Sequence, residues 1–150
     1  MKFLMMVFLM LLLSGKAMSQ QTEDSVKAVV NLLFSSMKAS DEALVLSCFA
    51  DGAILQTMAK NKEGNQFVKN ESIKEFASSV GSAPKAVLDE RISFDMIKID
   101  GSLASVWTPY SFYYNGTFSH CGVNSFQLVR TAMGWKIQYI IDTRRKVGCQ

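Results

Sequence analysis

Histidine occurs once, proline twice and cysteine three times in this chain of 150 residues. One His and three scattered Cys have no zinc-ligand spacing, so no metal site is expected, and no other cofactor is implied. Few prolines, no repeat, no low-complexity run and no linker argue for one domain. There is no large excess of either charge: 16 Lys and Arg stand against 13 Asp and Glu. The only cationic cluster is Arg144-Arg145-Lys146, whereas a nucleic-acid binder shows a clustered basic face, so no nucleic-acid partner is expected. The longest apolar run, Phe3 to Leu13, is shorter than the roughly 20 residues a membrane-spanning helix needs. No complete catalytic motif is present.

The short apolar run follows Lys2 and precedes small and polar residues. Ala17 and Ser19 fit a small-x-small cleavage pattern. The expectation is a signal peptide at residues 1–19, a mature chain beginning at Gln20, and a periplasmic or secreted protein. No Cys follows the run, which argues against a bacterial lipid anchor. Losing Lys2 and Lys16 leaves 14 cationic and 13 acidic residues, so the basic balance belongs partly to the leader. Residues 20–150 then form one domain with a core of its own. In an exported chain three Cys leave one unpaired. Cys48 sits among apolar helical positions and reads as core. Cys121 and Cys149 are the candidates for a disulfide tying the C-terminal tail to the sheet.

The domain reads as helices followed by strands. Thr22 or Asp24 caps a first helix with Val26, Val29, Val30, Leu33, Phe34 and Met37 at helical spacing. Asp41 opens a second, shorter helix through Leu44, Leu46, Cys48 and Phe49. Ala53–Met58 and Gln66–Val68 suggest a hairpin around a polar loop. Asn70 caps a third helix carrying Ile73, Phe76, Ala77 and Val80, stopped by Gly81 and Pro84. From Ala86 onward, Asp100-Gly101, Asn115-Gly116 and Ala132-Met133-Gly134 punctuate long antiparallel strands. The fold class is α+β, with three helices packed on a strongly curved antiparallel sheet.

Symmetric pairing about these turns assigns the faces. It sets Glu90 opposite Ser111, Ser111 opposite His120, Trp107 opposite Asn124, and Phe94 opposite Trp107. The helix-covered face then collects Ile92, Phe94, Met96, Leu103, Trp107, Tyr113, Phe118, Phe126 and Leu128. The outer face carries Arg91, Ser93, Asp95, Thr108, Tyr110, Phe112, Ser125 and Gln127, a mixed surface that admits a homodimer. The last hairpin has two registers. Symmetric pairing puts Trp135, Ile137, Tyr139 and Ile141 inside and Asp142 outside. A one-residue bulge at Gly134 would instead bring Asp142 to the face of His120. Apolar accounting favours the first.

Three helices, a short hairpin and a meander ending in Gly134-Trp135-Lys136-Ile137 resemble the nuclear transport factor two-like superfamily over residues 23–145. The stretch from Pro109 to Ile137 resembles its exported family labelled lumazine-binding. The resemblance implies a cone whose sheet curls around an apolar pocket closed by helices. Enzymes of this fold place an acid, a His or a Tyr on the pocket wall, but no full acid-plus-oxyanion set carries over onto these residues.

Glu90, Ser111 and His120 form a polar row within an apolar face, and such a row needs partners or a ligand-sized opening. Trp107, Ser111, Tyr113, His120, Asn124 and Tyr139 are the candidate ligand-binding residues. The reading is an exported domain binding an unidentified small apolar or aromatic molecule. A second reading is a small lyase or isomerase with His120 and Glu90 as acid and base. A third is a structural or interaction module dimerising through the outer face.

Overall fold

The computed structural model describes residues 2–149, with side chains described from Gln20 onward. The expected leader and its cleavage site lie outside those described side chains. Helix α1 spans Lys2–Ala39 and runs through Thr22 and Asp24 without using either as a cap. No Pro or Gly interrupts residues 16–39, so nothing stops the helix there. Val26, Val30, Leu33, Phe34 and Met37 form its buried stripe. Among the described residues no helix is long and apolar enough to cross a membrane.

Helix α2 (Glu42–Ser47) begins at Asp41, whose side chain accepts a hydrogen bond from the Leu44 backbone N–H. Its buried residues are Val45 and then Cys48, while Leu44 and Leu46 are exposed. A hairpin follows, β1 (Phe49–Lys60) and β2 (Gln66–Glu71). Helix α3 (Ile73–Ser82) is capped by Ser72, two residues beyond Asn70, and buries Ala77 and Val80. The remaining strands are β3 (Leu88–Ile92), β4 (Met96–Asp100), β5 (Leu103–Tyr114), β6 (Thr117–Thr131) and β7 (Gly134–Asp142).

The strands form one sheet in the order β2-β1-β7-β6-β5-β3, with β4 also on β5. One pairing, β1 with β7, is parallel, so the sheet is mixed rather than wholly antiparallel. The core lies between its inner face and the helices, where Phe34 meets Phe126 edge-on at 6.2 Å.

Three irregularities reverse part of the expected face assignment. The Asn115-Gly116 turn forms as expected, both residues at positive φ, and pairs Tyr114 with Thr117. Ser119 is then an extra residue on β6, and His120 pairs with Phe112 instead of Ser111. Phe118 and His120, two apart, therefore lie on opposite faces. Beyond the bulge Asn124 pairs with Thr108, not Trp107.

Strand β5 is thus inverted relative to expectation. Ala104, Val106, Thr108 and Tyr110 are buried inside, while Trp107 is 40% exposed and Leu103 49%. The chain also breaks pairing between β3 and β4, which sets Glu90 opposite Phe112 and Arg91 opposite Ser111. Met96 pairs with Trp107 on the outer face. In β7 the extra residue is Gln138. Trp135 and Ile137 point inward as expected, but Ile140 and Asp142 replace Tyr139 and Ile141 there. Gly134 pairs regularly with Thr131, so the bulge falls at Gln138 instead, and the apolar tally that favoured symmetric pairing is still met because Ile140 turns inward in place of Ile141.

Candidate functional site

Helices α1 and α3 close one side of a cavity of about 240 Å³, and the inner faces of β1, β3, β5, β6 and β7 form the other. Leu33, Phe34, Met37, Phe76 and Val80 give it an apolar half. Glu90, Asn124, Asp142, Tyr110, His120 and Arg144 give it a polar half. This division follows from the strands: apolar side chains fill the inner face near the α1 contact, and polar ones occupy it toward the end of β7.

Of the sequence-selected residues, Glu90, His120 and Asn124 line the cavity. Trp107, Ser111, Tyr113 and Tyr139 do not, because the Ser119 and Gln138 bulges and the β3–β4 break set their face outward. Tyr113 stacks under Arg91 at 4.0 Å and packs against Phe118, and Tyr139 donates its hydroxyl to Gln56 Oε1 at 2.7 Å. The expected polar row does not form: Phe112 takes the place of Ser111, so Glu90 and His120 lie on either side of an aromatic ring across β3, β5 and β6.

Asn124 Nδ2 donates to Glu90 Oε1 at 2.8 Å. Burial pushes the Glu90 carboxyl up to about 7, the Asn124 hydrogen bond opposes that, and the nearby Asp142 charge adds to it. Asp142 is 8% exposed and accepts from Arg144 Nε at 2.8 Å. The single phenolic proton of Tyr110 lies within reach of the Thr143 carbonyl at 2.9 Å and of Asp142 Oδ2 at 3.3 Å. Burial, with the Asp142 and Glu90 charges, pushes that phenol well above its ordinary range. His120 packs against Phe112 at 5.0 Å and edge-on to Tyr110 at 5.7 Å, with Ser119 Oγ 3.1 Å from its Nδ1. Burial and the Arg144 charge lower its pKa, which favours the neutral imidazole near pH 7.

Tyr110, Phe112, Asp142 and Arg144 belong to this constellation, although face assignment alone put the first three outside. One sequence signal pointed to the place. Gly122 falls inside a strand, the mark of close backbone approach. A Cβ there would stand 1.8 Å from the Thr143 carbonyl oxygen and 2.7 Å from Tyr110 Cε1. The bare glycine lets the Tyr110 ring lie across β6 and reach the end of β7.

The segment after β7 is held to β6 by backbone bonds between Cys121 and Arg145 in both directions and by a Cys121–Cys149 disulfide. Cys48 is free and buried, its thiol pushed up to about 11 by burial, which leaves it a poor nucleophile. Among the described residues no three His, Cys, Asp or Glu side chains are grouped to hold a metal ion.

No family model and no curated protein matches the sequence. Solved structures do. An NTF2-like protein with a cystatin-like fold from Novosphingobium aromaticivorans aligns with a TM-score of 0.67 at 10% identity, over 91% of this chain and 90% of that one. An NTF2-like protein from Silicibacter pomeroyi gives 0.65 at 15% identity, over 85% and 98%. Another, from Methylobacillus flagellatus, gives 0.62 at 18% identity, over 81% and 90%. The chain therefore has the nuclear transport factor two-like fold. Its fold and cavity define an α+β cone, and one fold hosts many functions, so function rests on the cavity itself.

Proposed function

We propose that the domain binds a small molecule in the cavity between α1, α3 and the sheet. The observation that carries this reading is the polar cluster at one end of an otherwise apolar enclosure. Glu90, Asn124 and Asp142 converge there, with the aromatic edges of Tyr110, Phe112 and His120 beside them. A ligand with an apolar or flat body and one hydrogen-bonding group suits such a lining. At roughly 30 Å³ per water-sized volume, the cavity holds on the order of eight non-hydrogen atoms. Ser79, an exposed residue at the cavity edge, offers a test. Native mass spectrometry is expected to find a small molecule retained by the wild-type protein and absent from Ser79→Trp. Equal occupancy in both proteins refutes the reading.

Glu90 favours a second reading, acid–base catalysis with His120 as partner. A carboxyl near 7 both holds and releases a proton at neutral pH. Proton exchange at the α-carbon of a small ketone, lost in Glu90→Gln, is the result that reading requires.

Two further proposals concern setting. Residues 1–19 act as a cleaved export signal; N-terminal sequencing of the exported protein is then expected to begin at Gln20, and a sequence beginning at Met1 removes the signal. The outer face, where Met96, Leu103 and Trp107 are all exposed, pairs two copies of the chain. Trp107→Glu is then expected to lower the mass found by sedimentation, and an unchanged mass removes the dimer.

A further inference from the structure

Beside the cavity lies a second concavity of about 630 Å³, formed by β1, β2 and the segment after β7. Arg144 and Glu71 line both spaces, so the two adjoin at these side chains. Lys60, Lys69, Arg144, Arg145 and Lys146 line the cleft against the single carboxylate of Glu71. The whole chain carries only three more cationic than acidic residues, so this is a local concentration of charge. Two of the cations have partners: Lys69 pairs with Glu71 at 3.1 Å, and Arg144 with Asp142. Lys60, Arg145 and Lys146 make no ion pair among the described residues.

Arg144 is the hinge between the spaces. Its Nε bonds Asp142, and its two terminal nitrogens make no hydrogen bond among the described residues, which leaves their donors unspent. At the inner edge of the cleft Thr57 is 5% exposed, and its hydroxyl has no hydrogen-bond partner among the described residues. Thr57 pairs directly with Asp142 across β1 and β7, so it stands at the same junction. The tail that carries three of the cations is fixed there by the disulfide and the paired Cys121–Arg145 backbone bonds. The charge is therefore held in place at the cavity's edge rather than spread along a free terminus.

We propose that the ligand is an organic anion: its apolar body fills the cavity and its carboxylate lies in the cationic cleft beyond Arg144. The inference rests on the binding reading above and adds the ligand's chemical class. A soluble amphiphilic carboxylate fits because the cavity accepts only a short body and the adjoining cleft supplies cations with free donors. Arg offers such a group paired hydrogen bonds, and Lys offers mobile point charges.

Octanoate and 1-octanol share an apolar chain and differ in charge, so titration calorimetry with both separates cleft from cavity. Octanoate is expected to bind at least about tenfold more tightly at low ionic strength, with the preference shrinking as salt is raised toward 1 M. In Lys60→Gln/Lys146→Gln the ratio of the two affinities is expected to fall at least about threefold. Equal, salt-insensitive binding of both compounds overturns the anion inference while the cavity reading stands. Failure of both to bind, with Ser79→Trp also without effect on any retained molecule, overturns the cavity reading and this inference together. A third arm uses vesicles of neutral and anionic phospholipid. Salt-sensitive binding to anionic vesicles that octanoate does not displace assigns the cleft to a membrane surface and also overturns the proposal.

Discussion

Replacing Glu90 with glutamine separates the charge of this group from its shape. The variant keeps a carbonyl oxygen to accept the Asn124 hydrogen bond and removes the titration. In the folded protein the Glu90 carboxyl lies near 7, against 4.5 ordinarily, because burial disfavours its charged form. Between those values the folded state holds a proton that the unfolded chain has released. Stability from this group is therefore fully present below about 4.5 and is lost as pH rises toward 7. That interval, at about 1.36 kcal/mol per pH unit, sets a ceiling of about 3 kcal/mol. Glu90 is partly accessible along the cavity it lines, and water there screens the charge, so about 1–2 kcal/mol is the expected size. His120 works in the opposite direction over a neighbouring range, since its lowered pKa makes folding more favourable as pH rises. That contribution is common to both proteins and cancels in their difference. Urea unfolding at pH 4.5 and pH 8, followed by tryptophan fluorescence, gives the comparison. Wild type is expected to lose about 1–2 kcal/mol more than Glu90→Gln on going to pH 8. Parallel pH dependence in the two proteins refutes the claim that Glu90 is held protonated by its surroundings.

Three other outcomes follow from the same geometry. Gly122→Ala is expected to cost at least about 2 kcal/mol or to prevent folding, read from the thermal midpoint and soluble yield, because its Cβ meets backbone rather than a flexible side chain. Cys149→Ser opens a loop with a sequence separation of 28 and is expected to lower stability by about 3–4 kcal/mol in the loop-entropy picture; non-reducing peptide mapping that recovers a Cys48 bridge contradicts the pairing. His120→Ala is expected to weaken retention of the cavity molecule in native mass spectrometry while shifting the thermal midpoint little, since the ring borders the cavity and not the apolar core.

Much of this architecture is legible in the sequence. The Val26-to-Met37 stripe marked the buried face of α1, Asp41 marked the start of α2, and Asn115-Gly116 marked a turn that forms with both residues at positive φ. Such features depend on residues within a turn or two of one another, so local propensity and periodicity suffice. Glu90, His120 and Asn124 also stand out in the sequence, as polar residues in an otherwise apolar pattern.

The composition of the rest of the site was decided by tertiary structure. A strand's side chains alternate strictly, so a single extra residue reverses every later position. Ser119 and Gln138 are such residues, and the β3–β4 break acts in the same way. Together they send Trp107, Tyr113 and Tyr139 outward and bring Tyr110, Phe112 and Asp142 to the cavity. Nothing local in Ser119 or Gln138 compels a bulge. Which register the strands adopt, and so where the extra residue falls, is decided by side-chain packing between parts of the chain that are distant in sequence.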